Sequence, residues 1–215
     1  MPSLLDLTTV AKAANRLDVG AEEGELPDLV TAASEALADW LGYPLHRREG
    51  VVETCAGGAQ RLFLRSGAVQ AVASVSVFGQ QRPTNTYRLE DGVKGILLSL
   101  REPWPFTGRT GGGVSQSPLQ REDTGEIAVT FSAGWVTPGQ VELESTRVRD
   151  LPQVLEQAAL LTVTAWYRRK GDDPDEVSVS LGDASTSYGS GRAAALPTSA
   201  RALVARYRKH GRGTP

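Results

Sequence analysis

Histidine, cysteine and long apolar runs are scarce in this sequence of 215 residues. Cys55 is the only cysteine, so the chain can form no internal disulfide and no cysteine-based zinc cluster, which fits synthesis in a reducing cytosol. No segment approaches the roughly 20 apolar residues that a membrane span needs. The first residues also lack the basic and then apolar pattern of a secretory signal. We therefore expect neither a membrane-integral nor a secreted protein.

Few residues are available for catalysis or metal binding. The two histidines, His46 and His210, fall in a loop and in a basic tail, without a sequence context that makes either a general base or a ligand. Glycines at 111–113 and 189–191 lack the surroundings of a phosphate-binding loop and of a nucleophile elbow. The acidic turn at 172–176 lacks the central glycine of an EF-hand loop. We therefore predict a protein that is not an enzyme and has no cofactor and no metal site.

The residues that are abundant predict a packed globular protein with an uneven charge. The hydrophobic share is 40% and the charged share 22%, close to the averages for globular domains. Nine acidic residues precede residue 50, whereas no acidic residue follows Asp183, and five arginines and one lysine do. The two ends of the chain are therefore expected to contact different partners. A solvated basic helix is the alternative explanation for the C-terminal charges.

Apolar residues at helical spacing predict three helices that flank the middle of the chain. The first covers residues 3–17, with Ser3 as its N-cap, and the second covers residues 26–41 and ends at Gly42. The third begins at a Leu-Pro pair and covers residues 151–170, with a broad apolar stripe and a basic end. Trp40, Trp135 and Trp166 are predicted to pack in cores.

The middle of the chain has β character. Residues 51–55 and 60–64 flank a short glycine-containing loop and are predicted to pair as a hairpin. The segment 106–120, rich in Gly, Ser and Pro, predicts a long exposed loop. Further strands are predicted at residues 72–78, 87–89, 96–100 and 126–131.

The C-terminal part predicts a tether and a last helix. Residues 182–196 are rich in Gly, Ser and Ala, which favours a flexible linker. Pro197 and Thr198 then begin an amphipathic helix with Ala200, Leu203, Val204 and Tyr207 on one face. A detached amphipathic helix requires a groove to cover its apolar face.

Several local patterns, in this order, carry a family resemblance. The helix at 29–40 is followed by Gly-Tyr-Pro, and a strand series includes residues 72–79 and 127–135. A Leu-Pro pair then begins a helix that ends Trp-Tyr-Arg-Arg at 166–169, followed by Val-Ser-Val-Ser-Leu-Gly-Asp-Ala-Ser-Thr-Ser-Tyr at 177–188. The whole resembles the head–tail adaptor (connector) proteins of tailed bacteriophages, which also occur in gene transfer agents. The long β insert sets it apart from the shortest members of that family.

The resemblance and the element pattern together predict an α+β fold with three parts. Residues 1–46 and 136–181 would form an antiparallel helical bundle, residues 47–135 a β-rich insert, and residues 182–215 a linker and docking helix. The resemblance implies a structural ring, a dodecamer, that joins the portal protein to a stopper, head-completion or tail protein. DNA would pass through its lumen without sequence-specific binding. The implied location is the virion neck, after assembly in the bacterial cytoplasm and without any membrane.

The last helix is the predicted portal interface. Its apolar residues would fill a groove on the portal while its cations meet carboxylates; the predicted set is Arg201, Leu203, Val204, Arg206, Tyr207, Arg208 and Lys209. Trp104 and Phe106 are candidates for a second interface, because Trp104 stands between two prolines. The competing interpretation is a nucleic-acid-binding protein that uses the basic C-terminal arm, and a small-molecule-binding or hydrolytic β domain is a third.

Overall fold

The computed structural model describes residues 2–21, 24–105, 127–169 and 196–209, and the backbone of two strands within residues 178–187. Helices and antiparallel sheets together confirm the predicted α+β class. The chain divides into two compact units. The helical unit is Met1–Leu41 with Val136–Arg206, and the β unit is Gly42–Trp135 with Tyr207–Pro215.

Five helices and a hairpin form the described part of the helical unit. Helices α1, α2 and α4 pack on one another, and α5 packs on α4. Strands β8 and β9 pair antiparallel, from Ser178 opposite Ser187 to Leu181 opposite Ala184. The helices are α1 (Val10–Leu17), α2 (Leu26–Leu41), α3 (Pro138–Leu143), α4 (Gln153–Arg168) and α5 (Thr198–Val204), and the strands are β8 (Ser178–Leu181) and β9 (Ala184–Ser187).

Helices α2 and α4 confirm the two longer predicted helices. The buried residues of α2 recur every three or four positions, so one stripe of the helix faces the core. Gly42, directly after α2, has a φ of +87°, a left-handed conformation that glycine adopts without steric cost. The buried side of α4 is made of Leu155, Ala158, Ala159, Thr162 and Val163.

The first helix is shorter than predicted. It begins at Val10, and the Thr9 side chain caps it by accepting a hydrogen bond from the Lys12 amide at 3.2 Å. Ser3 and Asp6, the predicted cap and its partner, instead close a turn: the Ser3 amide donates to Asp6 Oδ2 at 2.7 Å. Asp6 also accepts from the Thr31 hydroxyl of α2. This tertiary contact holds the turn in place of a helical start.

The β unit contains two antiparallel sheets. One has the order β1-β7-β3-β4, and the other the order β2-β6-β5. Their strands are β1 (Arg48–Cys55), β2 (Arg61–Phe63), β3 (Val69–Val77), β4 (Gln80–Gln81), β5 (Tyr87–Asp91), β6 (Ile96–Ser99) and β7 (Ile127–Ala133). The predicted strands at 72–78, 87–89, 96–100 and 126–131 are confirmed with shifted ends.

Strand β7 is the centre of the larger sheet. Ile127, Val129, Phe131 and Ala133 are fully buried and alternate with half-buried residues, the two-residue period of a strand. Strands β1 and β3 pair with its two edges. These side chains join a core with residues of the smaller sheet, including Leu62 and Leu97.

The predicted hairpin between residues 51–55 and 60–64 is wrong. Both segments are strands, but β1 pairs with β7 and β2 pairs with β6. The loop between β1 and β2 is hydrogen-bonded to the backbone of Trp104. The Gly58 amide donates to the Trp104 carbonyl, and the Trp104 amide donates to the Ala59 carbonyl, each at 2.9 Å. Long-range pairing therefore overrides the local turn signal. The predicted loop at 106–120 lies outside the described residues.

Candidate functional site

The apolar face of α5 is occupied by the chain's own helix α4. Ala200 and Val204 are fully buried, and Leu196, just before the helix, is buried as well. The Arg201 amide donates to the Pro197 carbonyl at 3.0 Å, which closes the first turn. Val204 thus lies inside the helical unit, although the sequence places it at an interface with a partner. The reason is that α4 offers the apolar surface that an amphipathic helix needs.

Residues 207–209 belong to the β unit. The ring of Tyr207 packs edge-on against Trp135, with centroids 5.8 Å apart, and its carbonyl accepts a hydrogen bond from the Tyr43 hydroxyl at 2.8 Å. Lys209 Nζ donates to the Leu64 carbonyl. Burial raises the pKa of Tyr43, and the neighbouring Tyr207 raises it further. Tyr207 and Lys209 therefore stabilise the fold of their own chain. Residues 184–187, predicted as linker, form β9.

The exposed residues of the C-terminal segment include one large apolar side chain and several cations. Leu203 is 40% exposed, and Arg201, Arg206 and Arg208 are exposed too. Of the predicted portal-interface residues, these four stay accessible, while Val204 and Tyr207 are buried. A docking contact made by this segment is consequently more polar than an amphipathic helix alone predicts.

Trp104 is a core residue rather than an exposed anchor. Its side chain is 3% exposed and packs near Tyr87, with ring centroids 6.3 Å apart. The backbone bonds to Gly58 and Ala59 hold it there, although the flanking prolines suggested an exposed position. Phe106, its predicted companion, lies outside the described residues. Trp135 is buried as predicted, and Trp40 and Trp166 are half-buried.

The sequence analysis missed an apolar surface on the smaller sheet. Leu62 and Leu89 both lie opposite Leu97 on the inner side, so Phe63, Ile96 and Leu98 point to the other side. Phe63 is 48% exposed, and Leu100, one residue beyond β6, is 45% exposed. We call this surface the Phe63 face; its members are Phe63, Ile96, Leu98 and Leu100. The run Ile96-Leu97-Leu98, apolar on both sides of a strand, was the available signal.

Charged side chains border the Phe63 face. Arg61 donates to both carboxylate oxygens of Glu90, at 2.6 and 2.8 Å, across the intervening strand β6. This hydrogen bonding lowers the pKa of Glu90 and raises that of Arg61. Arg88, opposite Leu98, is exposed on the same side and also favours the ionised form of Glu90. Arg61 and Glu90 neutralise each other, and Arg88 is a further cation of this border.

Helix α2 has an acidic surface. Asp28, Glu35 and Asp39 are exposed, and they are spaced by seven and four residues, which places them on one face together with the exposed Ala32. In the described part of the chain, no ion pair engages these three carboxylates. We call this surface the α2 acidic face. Three of the nine acidic residues that precede residue 50 thus share one face of α2.

One buried carboxylate, Glu156 of α4, was not singled out from the sequence. It accepts from Lys12 Nζ at 2.8 Å and from Arg149 Nη2 at 2.6 Å. The Thr8 hydroxyl donates to it as well, at 3.4 Å. Two cations and a hydroxyl satisfy the carboxylate, so this cluster joins α1 to α4 and has a structural role.

The two histidines differ in what can be said of them. His46 is half-buried and bridges to Trp135 at the start of the β unit; burial and the nearby Arg48 lower its pKa. His210 lies outside the described residues, as do the glycines at 111–113 and 189–191 and the acidic turn at 172–176. Within the described ranges no three His, Cys, Asp or Glu side chains group as metal ligands. No described helix has the length and apolar character of a membrane span.

Solved structures with the same fold cover nearly the whole chain. One is a chain in the neck of a native gene transfer agent particle with C12 symmetry, with a TM-score of 0.54 and 18% identity over 100% of this chain and 96% of that chain. Another, from the neck of an empty particle with C6 symmetry, has a TM-score of 0.50 and 17% identity over 98% and 95% of the two chains. The comparison with curated proteins gave no match.

A protein-family model gives the assignment that structures of such low identity cannot give. The model describes head completion proteins and matches residues 4–210. The match includes both units and the C-terminal segment, and it agrees with the adaptor-like order of elements in the sequence. The chain therefore belongs to the head completion protein family.

Proposed function

We propose that this chain is a structural subunit of the neck of a tailed phage or a phage-like particle. Copies of it form a ring that joins the portal to a stopper or tail protein and surrounds the channel through which DNA leaves. The observation that carries the proposal is the match along the whole chain to a neck protein, together with membership of the head completion family. The proposed role is one of assembly and not of catalysis.

The same comparison supports a specific number of subunits in the proposed ring. The matching chain lies in a neck with C12 symmetry, which supports the dodecamer that the adaptor resemblance implies. A ring multiplies weak contacts, because each subunit that binds raises the effective concentration of its neighbours' binding sites. A modest docking surface on each copy is therefore sufficient for stable attachment.

The docking surface that we propose for the portal is the outward side of the C-terminal segment. Leu203 is the apolar anchor, and Arg206, three residues further along the chain, meets a carboxylate on the portal. Val204 and Tyr207 support this surface from inside and do not contact the partner. Apolar contact with a cationic border gives both affinity and orientation.

The test compares two leucines of similar exposure. Leu203→Asp is expected to weaken co-sedimentation with portal rings by about tenfold or more, as for an interface hot spot. The control is Leu143→Asp at the end of α3, where the leucine is 50% exposed, and it should bind like the wild type. Circular dichroism during urea unfolding checks that both variants fold. Wild-type portal binding by Leu203→Asp would contradict the docking proposal.

The same variants distinguish the nucleic-acid-binding alternative. If the exposed arginines bind phosphates, Arg201→Gln and Arg208→Gln should reduce salt-dependent DNA binding while Leu203→Asp has little effect. Under the portal proposal, Leu203→Asp has the largest effect, and the chain shows no DNA affinity that responds to these arginines. Fluorescence anisotropy with a duplex of random sequence measures this difference.

A further inference from the structure

The Phe63 face is an exposed apolar surface of the smaller sheet, of the kind that another protein surface can cover. Phe63 and Leu100 are each nearly half exposed, and Ile96 and Leu98 complete the stripe between them. Contiguous exposed apolar side chains bordered by charge are typical of protein contact surfaces. Arg88 lies at the border beside the Arg61–Glu90 ion pair, and it favours a partner that presents a carboxylate.

The chain itself supplies such a surface. Residues 1–41 contain eight acidic and two basic side chains, a formal charge of −6, whereas residues 42–105 contain five acidic and eight basic side chains, a formal charge of +3. In the described structure, the α2 acidic face concentrates Asp28, Glu35 and Asp39 on one stripe. Ala32, which has a small side chain, lies within that stripe and permits close approach.

We infer that the α2 acidic face of one copy binds the Phe63 face of a second copy. The carboxylates of Asp28, Glu35 and Asp39 lie around Arg88, while Ala32 covers part of the apolar stripe. Because the two surfaces differ, the contact is heterologous, and repetition of a heterologous contact produces a closed ring or a filament. This inference rests on the proposed function, since it identifies a contact between neighbours in the ring.

The test uses disulfide trapping between two different copies. Ala32→Cys and Leu100→Cys are made in separate chains, each with Cys55→Ala, and one chain carries a mass tag, so that all the charges of the proposed contact remain. Any disulfide between the two chains then joins different copies. The control replaces Ala32→Cys by Gln153→Cys, a position that is exposed at the start of α4 and lies outside both surfaces. On mild oxidation at low salt, the first pair should give at least about threefold more mixed dimer than the control pair.

Two further measurements check the chemistry of the contact. High salt should reduce the excess of mixed dimer, because it screens charges between exposed groups. Phe63→Ser, added to the Leu100→Cys chain, should also reduce the excess, and circular dichroism verifies that this chain is folded. A yield equal to the control, or an excess that responds neither to salt nor to Phe63→Ser, overturns the inference.

Failure of this inference is separable from failure of the proposed function. If wild-type protein binds portal rings but the mixed dimer does not exceed the control, the ring contact is wrong and the neck role stands. If the mixed dimer forms as expected and wild-type protein does not bind portal rings, the contact stands and the neck role is wrong.

Discussion

Gly134 directly follows β7, and its left-handed backbone conformation favours glycine. Its φ is +82°, and a Cβ at this position would lie directly against the carbonyl oxygen of His46. Its amide donates to the Ala68 carbonyl at 2.9 Å, and the next amide, of Trp135, donates to the Leu45 carbonyl at 2.8 Å. Close approach of three chain segments therefore depends on a missing side chain.

We expect Gly134→Ala to destabilise the protein much more than Gly79→Ala. Gly79 has a similar φ of +77°, but no atom lies within 4 Å of the position its Cβ would take. Both variants pay the cost of a left-handed alanine, about 1–2 kcal/mol, and only Gly134→Ala adds a clash with backbone. The difference between the two urea unfolding midpoints measures the clash. Equal midpoints would show that the segment at His46 moves away without cost.

The elements that the sequence predicts are those with a strong internal period. Helices α2 and α4 follow from apolar residues at helical spacing, and β7 follows from alternation. The pairing partners of the strands could not be predicted from the sequence, because β1 and β2 each pair with a strand that is distant in sequence. The position of α5 did not follow either: its apolar face shows that it needs a cover, but not that α4 is that cover.

The same limit applies to the candidate surfaces. Which residues of a strand are exposed depends on the register of its pairing. Leu62 is buried because it lies opposite the inward-facing Leu97, whereas the next residue, Phe63, points to the other side of the sheet. The composition of the N-terminal quarter shows that acidic residues are abundant there. Their arrangement on one face of α2 depends on where the helix begins and ends. The prediction that Trp104 is exposed was wrong. It was based on the neighbouring prolines, whereas backbone hydrogen bonds that the sequence does not reveal hold this residue in the core.

At the scale of elements, we expect the amide hydrogens of β7 to exchange with solvent much more slowly than those of β8 and β9. Strand β7 is paired on both edges, and four of its side chains are fully buried, so its amides should exchange only by large-scale opening. The hairpin has two strands, with no third strand among the described residues, and two-stranded sheets are marginal in water. Mass spectrometry of peptides after brief exchange should show β7 protected and β8–β9 exchanged. Equal protection would mean that the hairpin has a further partner.

At the scale of the whole molecule, the C-terminal segment contributes to both units. In the helical unit, α5 buries Ala200 and Val204 on α4. In the β unit, Tyr207 covers Trp135 and accepts the hydrogen bond of Tyr43. The sequence predicted that this segment is a separate docking helix on a flexible linker. In the structure, its residues are also part of the core of each unit. The segment that we propose for attachment therefore also stabilises the fold, and only its exposed side chains can test attachment alone.

Truncation after Leu181 is consequently expected to destabilise the protein, not only to remove a docking helix. The loss of Val204 and Tyr207 exposes apolar surface on α4 and on Trp135, which should lower the free energy of unfolding by about 3 kcal/mol or more. Truncation after Lys209 is the matched control, because it keeps α5 and all the contacts described for residues 196–209, and it should unfold like the full chain. Urea titration followed by circular dichroism compares the three chains. If the chain ending at Leu181 is as stable as the full chain, the packing of α5 and Tyr207 contributes nothing, and the tail is free to dock elsewhere.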